Sequence, residues 1–285
     1  MTNRTKNAGA AVAAAAGAAL AAAGVAAARW ARARDAHPLW TMAGPALVQT
    51  VEDEAGGAVR VLRVGGVYQS ATYLDERRFE PVFAYYRAFD RVFDVRPDAR
   101  DVLMLGGGGC SWPKHVVTSR AGVQMDVVEI DPAIVRAARR WFFVDEACAH
   151  AAAGSSLNLQ VADARVWLEH TGKRYDAVVS DCFAGVQPVR ALATVEAARA
   201  AKRVLRPGGV YAANVVSRAE GRDVSFLQDV VATLRAVFAH VHVVPCADED
   251  FGGEENYLVM ATDAPACVAD VIPYDDGFPG SVLRD

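Results

Sequence analysis

The chain has 285 residues, 53% hydrophobic and 22% charged, a globular composition that excludes a disordered or fibrous protein. Thirty basic residues against thirty-four acidic ones leave a net charge of -4, so no global basic field exists to hold nucleic acid. The cysteines, Cys110, Cys148, Cys182, Cys246 and Cys267, are odd in number and never form a C-x-x-C pair. That pattern disfavours a disulfide framework or a thiolate zinc site and fits a reducing compartment.

Residues 8–28 contain only Ala, Gly, Val and Leu, bracketed by Arg4 and Lys6 before and by Arg29, Arg32 and Arg34 after. The length would span a bilayer as a helix, but a single leucine and two valines make its hydrophobicity thin. A membrane anchor, a signal peptide and an Ala-rich cytoplasmic extension all remain open. After a polar stretch with Pro38 and Pro45, residues 48–52 and 59–64 read as strands around turn chemistry at 53–57. A further strand at 67–70 completes a small antiparallel unit, and the aromatic, amphipathic stretch 81–93 reads as a helix.

From residue 101 onward strands and helices alternate. Apolar runs at 102–105, 125–129, 157–161, 177–180 and 210–215 read as buried strands. A helix is expected after Ser111 as N-cap with Pro113 in its first turn, another from Asp131-Pro132 to about Phe143, and a third over 224–238. Two last strands, 241–244 and 257–261, have an acidic loop but no helix between them, which predicts a closing hairpin with one antiparallel strand. The fold class is therefore α/β, a mostly parallel sheet with helices on both faces behind a small N-terminal β unit. The expected layout is a tract and linker over 1–46, the β unit with its helix over 47–94, the α/β domain over 95–265 and a tail over 266–285.

In an open α/β sheet, ligands sit beyond the carboxyl ends of the strands where the strand order reverses. The loop Gly106-Gly107-Gly108-Gly109 follows the first strand, and its lack of side chains lets a ligand approach the backbone. Glu129 ends the next strand twenty residues after Gly109, the spacing at which an acid commonly accepts both ribose hydroxyls. Asp163-Ala164 follows the third strand, where a carboxylate can accept an exocyclic adenine amine, or simply cap a helix. Asp181 ends the fourth. Acids at three successive strand ends beyond a glycine loop point to an adenosine site. A dinucleotide site is the rival, since Gly106-x-Gly108-x-x-Ser111 nearly satisfies G-x-G-x-x-G, but it leaves Asp163 and the terminal hairpin unexplained.

With these residues in place, the chain resembles the spermidine synthase (polyamine aminopropyltransferase) family. The resemblance rests on 102–111, Val127 to Asp131, Val161 to Ala164, Tyr175 to Asp181, Val204 to Gly209, Glu255 to Val259 and the strand carrying Gln69. It implies a Rossmann-like class I methyltransferase fold with a seven-stranded sheet. It also implies a small-molecule amine acceptor of the polyamine kind, a homodimer, no metal, and S-adenosylmethionine or its decarboxylated form as the nucleoside. By this match Glu129 holds the ribose, Asp163 with Ala164 the adenine, Gln69 the nucleoside, and Gly106, Gly107 and Gly108 the loop beneath it. An intracellular nucleoside implies a cytoplasmic location, with or without attachment through residues 8–28.

Three departures accompany the resemblance. The family carries an Asp in the glycine loop where Gly109 stands, a Tyr-Gln or Tyr-His pair where Arg78-Phe79 stands, and its general base where Ala184 stands. Attack by an amine needs a carboxylate to take its proton. Aminopropyl transfer to a polyamine is thus expected to lack the family's base, with Asp181 the remaining catalytic candidate, and Arg78 is expected to repel a diamine. Gly109 removes an acid that would repel the carboxylate of intact S-adenosylmethionine. A methyltransferase and a non-catalytic nucleoside-binding module are accordingly the alternatives. Elsewhere, Asp248, Glu249, Asp250, Glu254 and Glu255 read as a solvated acidic loop, and His240 and His242 lack a third metal ligand. Trp112 and Phe183 are candidates both for stacking on adenine and for ordinary core packing.

Overall fold

The computed structural model describes residues 35–53, 55–184, 187–218, 224–246 and 254–285. The apolar tract at 8–28 and the acidic residues 248–250 lie outside the described residues. No helix among the described residues is long and apolar enough to cross a membrane.

Four antiparallel strands open the fold in the order β1-β2-β3-β4: β1 His37–Thr41, β2 Gly44–Glu52, β3 Ala58–Val64 and β4 Val67–Tyr73. The stretch read as a polar linker with Pro38 and Pro45 is in fact β1 and the start of β2. Pro38 lies on the edge strand β1, and Pro45 precedes the residues of β2 that pair with β3. The expected helix over 81–93 is broken into α1 (Ala84–Ala88), a 3₁₀ turn (Phe89–Arg91) and α2 (Val92–Val95). The residues it buries are Val82, Phe83, Tyr86, Phe89, Val92 and Phe93.

The second sheet has seven strands: β5 Asp101–Leu105, β6 Gln124–Glu129, β7 Ser156–Val161, β8 Tyr175–Ser180, β11 Leu205–Arg218, β12 His240–Cys246 and β13 Glu254–Thr262. Between β8 and β11 the chain makes a two-stranded ribbon of β9 (Phe183–Ala184) and β10 (Gln187–Pro188). The order is β12-β13-β11-β8-β5-β6-β7, parallel throughout except β13, which runs antiparallel to both neighbours. The closing hairpin expected from the helix-free ending is this β12-β13 pair. Strand β8 is buried at every residue, as expected for a central parallel strand. Strand β7 is not the buried strand expected. It is the sheet edge, and only Leu159 is buried.

Helices α3 (Ser111–Ser119), α4 (Pro132–Trp141), α5 (Val144–Ala149), α6 (Ala164–His170), α7 (Val195–Val204) and α8 (Ser225–Arg235) link the strands. Apolar side chains from the two sheet faces feed separate clusters. Met104, Val127, Val179 and Ala212 lie in one, and Leu103, Leu105, Val178 and Tyr211 in the other. Alternation along each strand divides them this way, and each fully buried Val or Leu contributes roughly 1.5–3 kcal/mol. Asp131 caps α4 as expected, its Oδ1 accepting from the Ala133 N–H at 2.7 Å with Pro132 at the first helical position. That helix stops at Trp141, short of Phe143. The freed Phe142 carbonyl accepts instead from the buried Lys114 Nζ at 2.6 Å.

Candidate active site

The sheet order reverses between β5 and β8. From β5 the chain builds outward to β6 and β7, and from β8 it builds the other way to β11, leaving a crevice at their carboxyl ends. Gly106 turns into it with φ +84°, and a Cβ there would lie 2.2 Å from the Asp181 carbonyl oxygen, so only glycine fits. The Gly106 N–H donates to the Val128 carbonyl at 2.9 Å and the Asp181 N–H to the Leu105 carbonyl at 2.8 Å, fixing both rims. Ser111 is not the N-cap of α3. Cys110 holds that position in the left-handed region, and the Ser111 hydroxyl donates to the Ala71 carbonyl at 2.6 Å, tying the helix start to β4.

Glu129 is 7% exposed. Its Oε2 accepts from the N–H groups of Gly107 (3.0 Å) and Gly108 (3.1 Å), and its Oε1 accepts from that of Asp131 (3.0 Å). The acid at the end of β6 thus holds the glycine loop in shape. A carboxylate has about four lone-pair sites, so one is left for a further donor. Asp163 does what a lone strand-end acid does most simply: it caps α6, its Oδ1 accepting from the Val166 N–H at 3.0 Å. It nevertheless remains exposed at the crevice.

Asp181 is half-buried between these groups and β11. Asn214 Nδ2 donates to its Oδ1 at 2.9 Å. Burial pushes the carboxyl up to about 6, the charge on Glu129 acts the same way, and the amide bond from Asn214 opposes them. The buried Tyr86 also lies within hydrogen-bonding reach of it, and its hydroxyl donates to the Gln69 carbonyl at 3.3 Å. Tyr86 stacks with Phe83 at 5.9 Å and approaches Tyr85 at 4.2 Å between ring centroids, an aromatic wall supplied by α1.

These groups line one cavity of about 440 Å³, a size suited to a nucleoside-sized ligand. Gln69, Gly106, Gly108, Glu129, Asp163, Ala164 and Asp181 all face it. Gly107 does not. It lies behind the loop, where a Cβ would meet Val127 Cγ1 at 3.0 Å, and contributes its N–H to Glu129. Ile130, Ile134 and Leu192 add an apolar slot on the Glu129–Asp163 side. Half-exposed Ile130, at 48%, owes its position to that opening.

Other expectations give way. Trp112 is fully buried among Phe89 and Phe93 with Nε1 donating to Asp90 Oδ1 at 2.8 Å, so core packing, not stacking on a ligand, is its part. Arg78 is not among the cavity's lining residues. Its guanidinium pairs with Glu146 and donates to the Asp75 carbonyl at 3.1 Å, so the charge expected to repel a diamine is offset by Glu146. Cys182 lines the cavity, and burial holds its thiol well above the ordinary range, away from thiolate chemistry. The site residues that sequence reasoning missed are the α1 aromatics, Asn214 and Asn256. Asn214 left a signal, as an amide inside the apolar run 210–216.

The fold is an α/β fold of the methyltransferase type with a cavity at the carboxyl ends of its strands. The family model of the spermine/spermidine synthase domain matches residues 91–248. The chain belongs to that family. The polyamine aminopropyltransferase of Vibrio vulnificus is 28% identical over 200 residues, covering 69% of this chain and 62% of that protein. The match thus spans under two thirds of that relative's length. Among solved structures, a probable spermidine synthase from Corynebacterium glutamicum superposes with a TM-score of 0.65 at 23% identity, over 80% of each chain. The human methyltransferase-like protein 13 in complex with SAH superposes at 0.51 with 22% identity, over 67% of this chain and 85% of that one. These two are likenesses of fold.

Proposed function

We propose that the cavity binds an S-adenosylmethionine-type nucleoside and that the protein transfers a carbon group from its sulfonium to an amine, with Asp181 taking the amine's proton. The observation that carries this reading is the order of groups along the sheet edge. Asp163 lies beyond β7, Glu129 at the end of β6, the glycine loop beyond β5, Asp181 beyond β8, and Asn214 and Asn256 on β11 and β13. At a strand spacing of ~4.8 Å the row is on the order of 24 Å long, room for a base, a ribose, a sulfur centre and an acceptor in sequence. Base and ribose would then occupy the Asp163–Ile130–Glu129 side, with Gln69 over the nucleoside. The sulfonium carbon would fall between Gly106 and Asp181, and the acceptor amine toward Asn214 and the α1 aromatics.

The chemistry fits the groups present. The acceptor nitrogen forms a bond to the carbon beside sulfur, the carbon–sulfur bond breaks, and the electron pair leaves with the neutral thioether. The proton released by the amine passes to Asp181. A carboxyl poised at about 6 is ionised at neutral pH yet basic enough to accept it. On this reading Asp181 stands in for the base that the family keeps at the position of Ala184, and loss of that base does not by itself remove transfer.

The space at Gly109 favours a second reading. A Cβ there would sit 2.5 Å from Ser70 Oγ and 2.8 Å from Phe142 Cδ1, so an acid at this part of the loop would have to displace both. Without that acid the carboxylate of intact S-adenosylmethionine is not repelled, and methyl transfer becomes the reaction. Calorimetric titration with both nucleosides, followed by product analysis with putrescine, separates the two. Methylthioadenosine release supports aminopropyl transfer. Preference for the intact nucleoside with S-adenosylhomocysteine as product supports methyl transfer. Binding of neither overturns both.

A further inference from the structure

We propose that Asn214 is a positioning residue for Asp181, its amide gripping one carboxylate oxygen so that the other is presented to the acceptor. The inference rests on the reading of Asp181 as the proton acceptor. On β11, Ala213 pairs with Ser180 of β8, which puts Asn214 one step further out, level with Asp181 at the strand end. Its Nδ2 donates to Asp181 Oδ1 at 2.9 Å. The other end of the same amide, Oδ1, is out of solvent and has no hydrogen-bond partner. An unsatisfied buried carbonyl is a cost that a valine or leucine in this apolar strand would avoid, so the residue type is explained by what Nδ2 does.

The groups facing Asp181 make that grip consequential. Glu129 lies across the crevice on β6, Tyr86 approaches from α1, Cys182 follows in the chain, and Asn214 stands on β11. Burial and the Glu129 charge both disfavour the ionised form, and the Asn214 donor, with a smaller contribution from Tyr86, favours it. Removing the larger of the two donors should therefore leave a carboxyl that holds its proton to higher pH.

The test follows the titration of Asp181 in the full chain by carboxyl carbon NMR with labelled aspartate, the resonance being assigned by its loss in Asp181→Asn. The native transition is expected near the value of about 6 given by burial. In Asn214→Leu it should move upward by about one pH unit or more, the size of one hydrogen bond to a charged group. Asn214→Gln, which keeps an amide donor, should return it most of the way. A merely structural asparagine would lower the melting temperature without moving this transition. A transition unmoved in a folded Asn214→Leu overturns the proposal. Should that variant fail to fold, the same outcome in Asn214→Ala, which also lacks a donor, overturns it instead. Calorimetry of the native chain with S-adenosylmethionine forms a separate arm. Absence of binding there refutes the nucleoside reading, while the titration still decides whether Asn214 governs Asp181.

Discussion

At the scale of single residues, the carboxylates divide into those that hold the fold and those that burden it. Glu129 accepts three backbone N–H bonds and so pins the loop it was expected only to overhang. Asp181 carries the burden, because burial raises its pKa from 3.8 to about 6. A folded-state pKa above the unfolded value means that the folded chain binds more protons between those two values. Stability then falls as pH rises through that window, and the full cost is present above about pH 6. Two pH units amount to about 2–3 kcal/mol. Asp181→Asn is therefore expected to be more stable than the native protein at pH 8 by an amount of that order, with the difference closing near pH 4. Urea unfolding at the two pH values measures it, and equal stabilities at pH 8 would contradict a strained carboxyl. The identities of Glu129, Asp163 and Asp181 were legible from strand-end spacing alone. The engagement of Glu129 with the loop was not, because a strand-end acid looks the same whether its oxygens face solvent or backbone.

Among the elements, the glycine loop shows how a departure from a family pattern is shared between neighbours. Gly109 faces Ser70 of β4 and Phe142 at the end of α4, and both leave less room than a Cβ needs. Phe142 is fully buried and Ser70 is held near Ser111 at 3.4 Å, so neither yields freely. Gly109→Ala is expected to cost about 1–3 kcal/mol as overpacking. In the double variant with Ser70→Gly the two costs should fall short of their sum by at least about 0.5 kcal/mol, since the two side chains contest one space. Strict additivity in denaturant unfolding would show that the contact is not what limits the loop. Sequence patterning reached the alternating strands and the closing hairpin, where period and length agree. It failed where a local rule competes: β1 was hidden by Pro38 and the start of β2 by Pro45, while the break in the aromatic helix leaves no mark in the apolar spacing.

Over the whole molecule, distant segments converge on the crevice. Arg165, next to Ala164, donates to the Ala191 carbonyl at 2.8 Å and to both side-chain oxygens of Asp285 at 3.0 and 2.6 Å. The stretch read as a plain tail is thus a strap. Its Ile272 N–H donates to the Val243 carbonyl at 2.8 Å, its Leu283 N–H to Thr233 Oγ1 at 2.9 Å, and its Asp285 side chain braces the Asp163 side of the cavity through Arg165. No periodicity announces such a segment, because its bonds go to other elements and not to itself. All of this architecture serves one row of groups from Asp163 to Asn214, and its meaning turns on whether a nucleoside lies along it. Calorimetric titration of the full chain with S-adenosylmethionine, its decarboxylated form and methylthioadenosine, repeated on Glu129→Gln, tests that most directly. The account predicts one-to-one binding of at least one of the three, weakened roughly tenfold or more in the variant through loss of bonds to a charged acceptor. Absence of binding by all three, or equal affinity in Glu129→Gln, would contradict it.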